Sequence, residues 1–255
     1  MAARIFRIEH EGELRYALER DGRTRLIDGE LFEQWASGKD FRLGAAVTPT
    51  RILAPVHPSK IVAVGLNYRD HAAERGRELP AEPLIFIKPS TAVVGPGDPI
   101  RLPPEAGRVE YEAEVALVIG RRAYRVRREQ AWDYVFGITA MNDVTERDLQ
   151  RRDVQYTRAK GFDTFAPLGP CILVGERGPF EVEAWVNGHR RQASTTAQLI
   201  FEFEELVAFV TSVMTLLPGD VISTGTPAGV GPLTPGDRVT IKVSGVGELT
   251  NSVTQ

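Results

Sequence analysis

One cysteine in 255 residues excludes an internal disulfide, and Cys171, alone in the apolar stretch LGPCILVG, offers no zinc-ligand spacing. It reads as a buried structural thiol. No apolar run approaches the roughly 18 residues that a membrane helix needs, and the opening MAARIFRIEHEG lacks the apolar segment of a secretory signal. The expectation is a cytoplasmic protein that does not enter membranes. Charge of one sign is also lacking: the formal net charge is −3 and the isoelectric point about 5.9, so no global field draws the chain to nucleic acid. Three motifs are absent: the G-x-S-x-G elbow of serine hydrolases, the G-x-G-x-x-G of dinucleotide sites and the Gly-Lys-Ser/Thr of a phosphate loop. Lysine is scarce, since 26 of the 31 basic residues are arginine, and its five positions are 39, 60, 88, 160 and 242.

What is there is mainly β pattern. Residues 1–52 read as a small N-terminal β-rich module: RIFRIEHEGELRYALERDGRTRLIDG alternates apolar and polar positions, and Asp21-Gly22 is a two-residue hairpin signal. A short helical piece, GELFEQWASG, follows, and TPTRILAPVHPSK marks the junction to a main body over residues 53–255. There Pro-Gly-Asp recurs at Pro96, Pro218 and Pro235; proline then glycine suits the central positions of a type II turn, so each is read as a strand entry. In the body, helices are predicted over 127–135, 144–153 and 196–214. Long β segments with few covering helices predict an α+β, β-dominated fold built on a rolled sheet or barrel.

The stretch VEYEAEVALVIG carries glutamate at every second position, which sets Glu110, Glu112 and Glu114 on one face of an extended chain, roughly 6.5 Å apart. Three like charges there need water or a cation. A solvated edge strand supplies the first. The run Val115–Ile119 is apolar at every position, as in a strand covered on both faces, and so favours acids that lead inward. Glu112 and Glu114 are then the pair for a hard divalent ion, with Glu110 the solvated member. Asp143, where the strand FGITAM ends, is a candidate third carboxylate, although Asp143-Val-Thr-Glu146 also fits a variant of the helix capping box. If a helix starts there, Asp143, Arg147 and Gln150 share one face, suited either to a cation beside an anionic substrate or to plain solvation.

Of four histidines, His10, His57 and His189 sit in a hairpin, a proline-flanked linker and an Asn-Gly turn, and read as surface residues. His71 and Glu74, at i and i+3 in NYRDHAAERG, can form a dyad in which the carboxylate orients the imidazole as a general base; an exposed charged turn is the alternative. The following RELPAEP, polar and proline-bearing, suits a mobile lid. Lys160, the only lysine between 88 and 242, is either a surface residue or a compact charge beside a polarised oxygen. STGTPAGVGP, residues 223–232, offers hydroxyls and glycine N–H groups able to grip a carboxylate.

Together these segments resemble the fumarylacetoacetate hydrolase family, through KIVAVGLNYRDHAAE, PLIFIKPSTAVVGPGDPI, VEYEAEVALVIG, AMNDVTERDLQ, RAKGFDTFAPLGP, VNGHRRQ and PGDVISTGTPAGVGPL in that order. The resemblance is strongest to its smaller bacterial members that act as 2-hydroxyhepta-2,4-diene-1,7-dioate isomerases or 5-oxopent-3-ene-1,2,5-tricarboxylate decarboxylases. It implies a mixed β-sandwich roll, commonly dimeric, that acts on a small 2-oxo acid in the catabolism of aromatic compounds. It places Glu112, Glu114 and Asp143 as metal ligands, Arg147, Gln150, Lys160 and Thr226 against substrate, and His71 with Glu74 as the lid dyad. A further aspartate ligand of the fumarylacetoacetate hydrolases proper has no counterpart in IVAVGLNY, which points to the three-carboxylate subgroup and to Mg2+ or Mn2+ before Ca2+. Isomerisation, decarboxylation and C–C hydrolysis of an acylpyruvate all remain open, because an enolate is common to them.

Overall fold

A computed structural model describes residues 2–255. Its backbone is a twelve-stranded mixed sheet against which a second, five-stranded sheet packs. The main path uses β1 (Ala3–His10), β2 (Glu13–Arg20), β3 (Arg23–Ile27), β4 (Leu43–Ala46), β5 (Lys60–Gly65) and β6 (Leu84–Pro89). It is completed by β7 (Ala113–Ile119), β8 (Val135–Asn142), β9 (Ala166–Val174) and β10 (Val221–Ser223). Their spatial order is β4-β3-β2-β1-β9-β8-β7-β10-β5-β6, with Arg51–Leu53 added beside β1 and Val93–Val94 beside β9. The second sheet is formed by Glu181–Val186, His189–Thr195, Arg238–Val243, Gly247–Thr254 and Ile100–Arg101. This is the expected β-dominated α+β architecture.

The sheet lies between two cores, which is why Val115–Ile119 is continuously apolar. Val115, Leu117 and Ile119 face the core shared with Val182, Ile241 and Val253 of the second sheet. Ala116 and Val118 face the other, with Ile5, Leu18, Ile27 and Phe136. Successive strand residues point to opposite faces, so a strand buried on both sides cannot alternate in polarity. Ala3, Ile5, Leu18, Ile27 and Leu31 contribute to the second core, and β1 pairs with β9 from Ala3↔Val174 to Ile5↔Ile172.

Turn chemistry follows the sequence closely. Asp21 and Gly22 both take positive φ, as a two-residue hairpin between β2 and β3 requires. The glycine of each Pro-Gly-Asp, Gly97, Gly219 and Gly236, has φ between 84° and 96°, the value of the third residue of a type II turn.

The helices are shorter than predicted. They are α1 (Leu31–Ala36), α2 (Arg69–Glu74), α3 (Arg147–Arg152), α4 (Thr157–Lys160) and α5 (Phe203–Val213). The segment 127–135 forms a 3-10 turn, Arg128–Asp133, instead of an α-helix. The predicted helix 196–214 is broken into a 3-10 turn at Thr196–Gln198 and α5. Asn67 causes the break: its backbone carbonyl accepts the Ile200 N–H at 2.9 Å, its side-chain oxygen accepts the Phe201 N–H at 2.8 Å, and its amide donates to Phe201 and Thr224 carbonyls at 3.1 and 2.8 Å. Those bonds hold residues 199–202 extended. In the described residues, no helix is long and apolar enough to cross a membrane.

Candidate active site

Antiparallel pairing sets Ala113 opposite Asn142, so the start of β7 meets the end of β8. Glu112 precedes β7, Glu114 lies within it, and Asp143 follows β8. The Asp143 N–H donates to the Glu112 carbonyl at 2.9 Å, and the Asn142 side-chain oxygen accepts the Glu112 N–H at 3.0 Å. The register thus converges all three acids: one oxygen from each lies within 4.8 Å of the others, and all three residues are buried.

Basic residues from three other elements meet them. Lys160, at the end of α4, places Nζ 2.7 Å from Glu112 Oε2 and 2.6 Å from Asp143 Oδ2. Lys88, from β6, donates to Asp143 Oδ1 at 2.6 Å and to the Val144 carbonyl at 3.1 Å. Arg147, opening α3, donates to Glu110 and Glu112, and at 2.7 Å to Gln150 Oε1. Among the described residues Glu114 has no basic partner within ion-pair distance; it accepts from Ser223 Oγ at 2.5 Å and from the Gly225 N–H at 2.9 Å.

These contacts set the proton affinities. Burial pushes the Glu114 carboxyl up, Asp143 and Glu112 push it further, and it reaches about 8. Burial also opposes ionisation of Glu112, but Arg147 and Lys160 outweigh it and hold that carboxylate well below its ordinary range. Burial disfavours charge on Lys160 as well, yet Asp143 and Glu112 prevail and raise its pKa. For Lys88, burial wins over Asp143 and the pKa falls.

Two sequence readings need correction. Glu110 is not solvated: it is 3% exposed and clamped between Arg108 and Arg147. Its strand, Val109–Tyr111, pairs on both sides, with Thr145–Glu146 and Gly231–Pro232, and so no edge is left to face water. Asp143 is not a helix cap either. The helix starts four residues later, and Glu146 is its N-cap, accepting the Leu149 N–H. Asp143, Arg147 and Gln150 therefore do not share a helical face; only the last two do.

His71 and Glu74 lie on α2, with Nδ1 of His71 3.0 Å from Glu74 Oε2. The other Glu74 oxygen accepts the Gly229 N–H at 3.1 Å, fastening α2 to the glycine-rich loop, and Asp70 accepts Ser194 Oγ at 2.6 Å. Thr226 spends its hydroxyl proton on the Ala113 carbonyl at 2.9 Å and accepts from Gln192 Nε2 at 2.9 Å. A cavity of about 490 Å3 is lined by His71, Glu112, Glu114, Arg147, Gln150, Lys160 and Thr226 together. Lys160 is 2% exposed, which removes its surface reading, while His57 and His189 are exposed as expected.

Sequence reasoning missed Lys88 and Gln192, and reached Ser223 only as one of the hydroxyls of STGTPAGVGP. The first left a signal, a lysine in the apolar strand LIFIKP of a lysine-poor chain. Gln192 left none, since its partners lie far off in sequence. The donor set suits a hard divalent cation, being three carboxylates with no nitrogen or sulfur. Glu114, buried beside two other acids and, among the described residues, paired with no base, is the group whose charge such an ion would offset.

The family described as "Fumarylacetoacetate (FAA) hydrolase C-terminal" matches residues 60–254. The chain belongs to the fumarylacetoacetate hydrolase family. It is an enzyme of that family. The solved 2-hydroxyhepta-2,4-diene-1,7-dioate isomerase from Mycobacterium marinum superimposes with a TM-score of 0.88 at 42% identity, over 98% of each chain. Oxaloacetate tautomerase YisK of Bacillus subtilis is 38% identical across 91% of this chain and 84% of its own length. Fumarylpyruvate hydrolase from Pseudomonas aeruginosa, solved in complex with Mn2+ and pyruvate, has a TM-score of 0.74 at 34% identity, covering 80% of this chain and 92% of that one.

Proposed function

We propose that the chain is a divalent-metal-dependent isomerase of a small 2-oxo or 2-hydroxy-enoic dicarboxylate, working through an enolate. The first candidate substrate is 2-hydroxyhepta-2,4-diene-1,7-dioate. The observation that carries this reading is the cluster of three buried carboxylates joined by Lys160, of which Glu112 and Glu114 line, with Lys160 and His71, one cavity. Mg2+ or Mn2+ held by Glu112, Glu114 and Asp143 would supply Lewis-acid polarisation of the substrate's 2-oxygen.

The chain's own residues do the rest. Lys160 brings a fixed positive charge next to the oxygen that becomes negative, and in a buried site such preorganised charge acts more strongly than in water. Arg147, immobilised by Glu110 and Glu112, and Gln150 orient the C1 carboxylate. Because Glu74 engages Nδ1 of His71, Nε2 is the nitrogen free to take a proton from one carbon and return it to another. The isomerase and the tautomerase among the relatives support a proton shift of this kind.

A second reading, C–C hydrolysis of an acylpyruvate, is favoured by the same dyad, since a carboxylate-oriented imidazole also activates water. The test follows the metal-stripped protein by NMR, with and without Mg2+ or Mn2+, against the heptadienedioate, oxaloacetate and an acylpyruvate. Metal-dependent isomerisation without chain cleavage is expected. Cleavage of the acylpyruvate would replace the first reading by the second, and turnover that ignores metal would remove both.

A further inference from the structure

Most of the charge around the cavity is already committed. Arg147 serves Glu110 and Glu112, and Lys160 bridges Glu112 and Asp143. The Thr226 hydroxyl donates to the Ala113 carbonyl and accepts from Gln192. Arg151 faces Asp148 at 3.4 Å. Two cations on the wall have no such partner. Arg75 and Arg77, just past the end of α2, line the cavity and form no ion pair among the described residues.

The acids near Arg75 do not claim it. Glu74 and Glu110 line an adjoining hollow with Arg75, but Glu74 is engaged by His71 and the Gly229 N–H, and Glu110 by Arg108 and Arg147. Other parts of the cavity wall are apolar, including Val64, Leu66, Leu84 and Phe86. The cavity therefore offers a carboxylate cluster for a metal-bound head, apolar walls for a short carbon chain, and guanidinium groups with nothing to bind.

We propose that Arg75 and Arg77 form a distal anion site that selects substrates bearing a second carboxylate at the far end. This rests on the enolising 2-oxo acid site of the preceding reading. A guanidinium presents paired N–H donors that match a carboxylate's two oxygens, whereas a chain ending in a methyl group leaves both arginines to water. Arg75 and Arg77 also belong to the segment that carries His71.

The experiment compares two probes of equal length, 2-oxoheptanedioate and 2-oxoheptanoate, on the Mg2+-loaded protein. Enolisation is read as deuterium entry at C3 by NMR, and binding separately by calorimetry. The wild type is expected to prefer the dioate, and the Arg75→Gln/Arg77→Gln variant to lose that preference by roughly tenfold, mainly in KM. The loss is modest because both guanidinium groups are exposed and screened by water. Lysine at both positions restores part of it. Equal binding of the two probes by the wild type, or an unchanged preference in the glutamine variant, would overturn the assignment. Arginine-dependent binding of the dioate with no exchange on either probe would support the anion site while removing the enolisation reading.

Discussion

Glu114 and Lys88 show how far single residues could be read. The E-x-E spacing and the strand end at Asp143 marked three acids, because a two-residue period keeps side chains on one face. The scarcity of lysine marked Lys160, and could have marked Lys88, but nothing local said which acid each cation would answer. Lys88 lies 55 positions from Asp143, and Arg147 lies 37 from Glu110, so their pairing is fixed only when strands assemble. Glu114 carries a prediction about pH. Its carboxyl titrates near 8 in the folded, metal-free chain, above its ordinary 4.5. The folded state thus holds a proton that the unfolded state releases, and this group's contribution to stability is lost as pH rises through about 8. Metal needs the carboxylate, so binding below pH 8 must expel that proton. Calorimetry with Mn2+ should show weaker affinity and about one released proton at pH 6.5, and tighter binding with almost none at pH 9. Glu114→Gln should weaken binding and abolish the pH dependence; equal affinity at both pH values in the wild type would refute the account. Lys88→Met should destabilise the fold by about 3 kcal/mol or more, since it strips a buried carboxylate of one partner, and urea unfolding measures it.

Elements were legible where their signal was local. The hairpin at Asp21-Gly22 and the three Pro-Gly-Asp turns follow from φ preferences of two residues each. The helix predicted over 196–214 failed because its periodicity was intact while Asn67, more than 130 residues away, supplied competing bonds to Phe201. The same asparagine shapes the loop after β10. Gly225 there has φ +100°, and a Cβ would sit 2.8 Å from the Asn67 Cβ. Its N–H meets Glu114 at 2.9 Å. Gly225→Ala therefore has to move the backbone to relieve both strains, carrying the donor off the carboxylate. Stability should fall by about 1–2 kcal/mol, the cost of a left-handed alanine, and Mn2+ affinity should fall with it. An alanine variant with undiminished metal affinity would show that the loop does not position Glu114.

At the scale of the whole molecule, the sheet order was not legible at all, because it depends on pairing between distant segments. The reading of residues 1–52 as β-rich came from local alternation, yet that pattern does not say where the strands go. They extend the main sheet through β1 and β9, and they roof the strand that ends at the site. Phe136 of β8 meets Phe32, Trp35 and Phe41 edge-on, with ring centres 5.2, 5.5 and 6.4 Å away. Trp35 also covers Gly120, where a Cβ would lie 2.3 Å from the indole, and Arg121 stacks on it at 4.9 Å. Strand β8 is thus packed at Phe136 by the N-terminal residues and delivers Asp143 at its far end. Trp35→Ala should cost about 2 kcal/mol, below the range for a fully buried aromatic because the ring is half-buried. Removing residues 1–52 should do more, since it bares Phe136 and leaves β9 with unpaired backbone groups, a template for association. The shortened chain is expected to aggregate on expression. If residues 53–255 instead remained soluble and bound Mn2+ as tightly as the full chain, the N-terminal strands would be an appendage and the support they lend to β8 would carry no weight at the site.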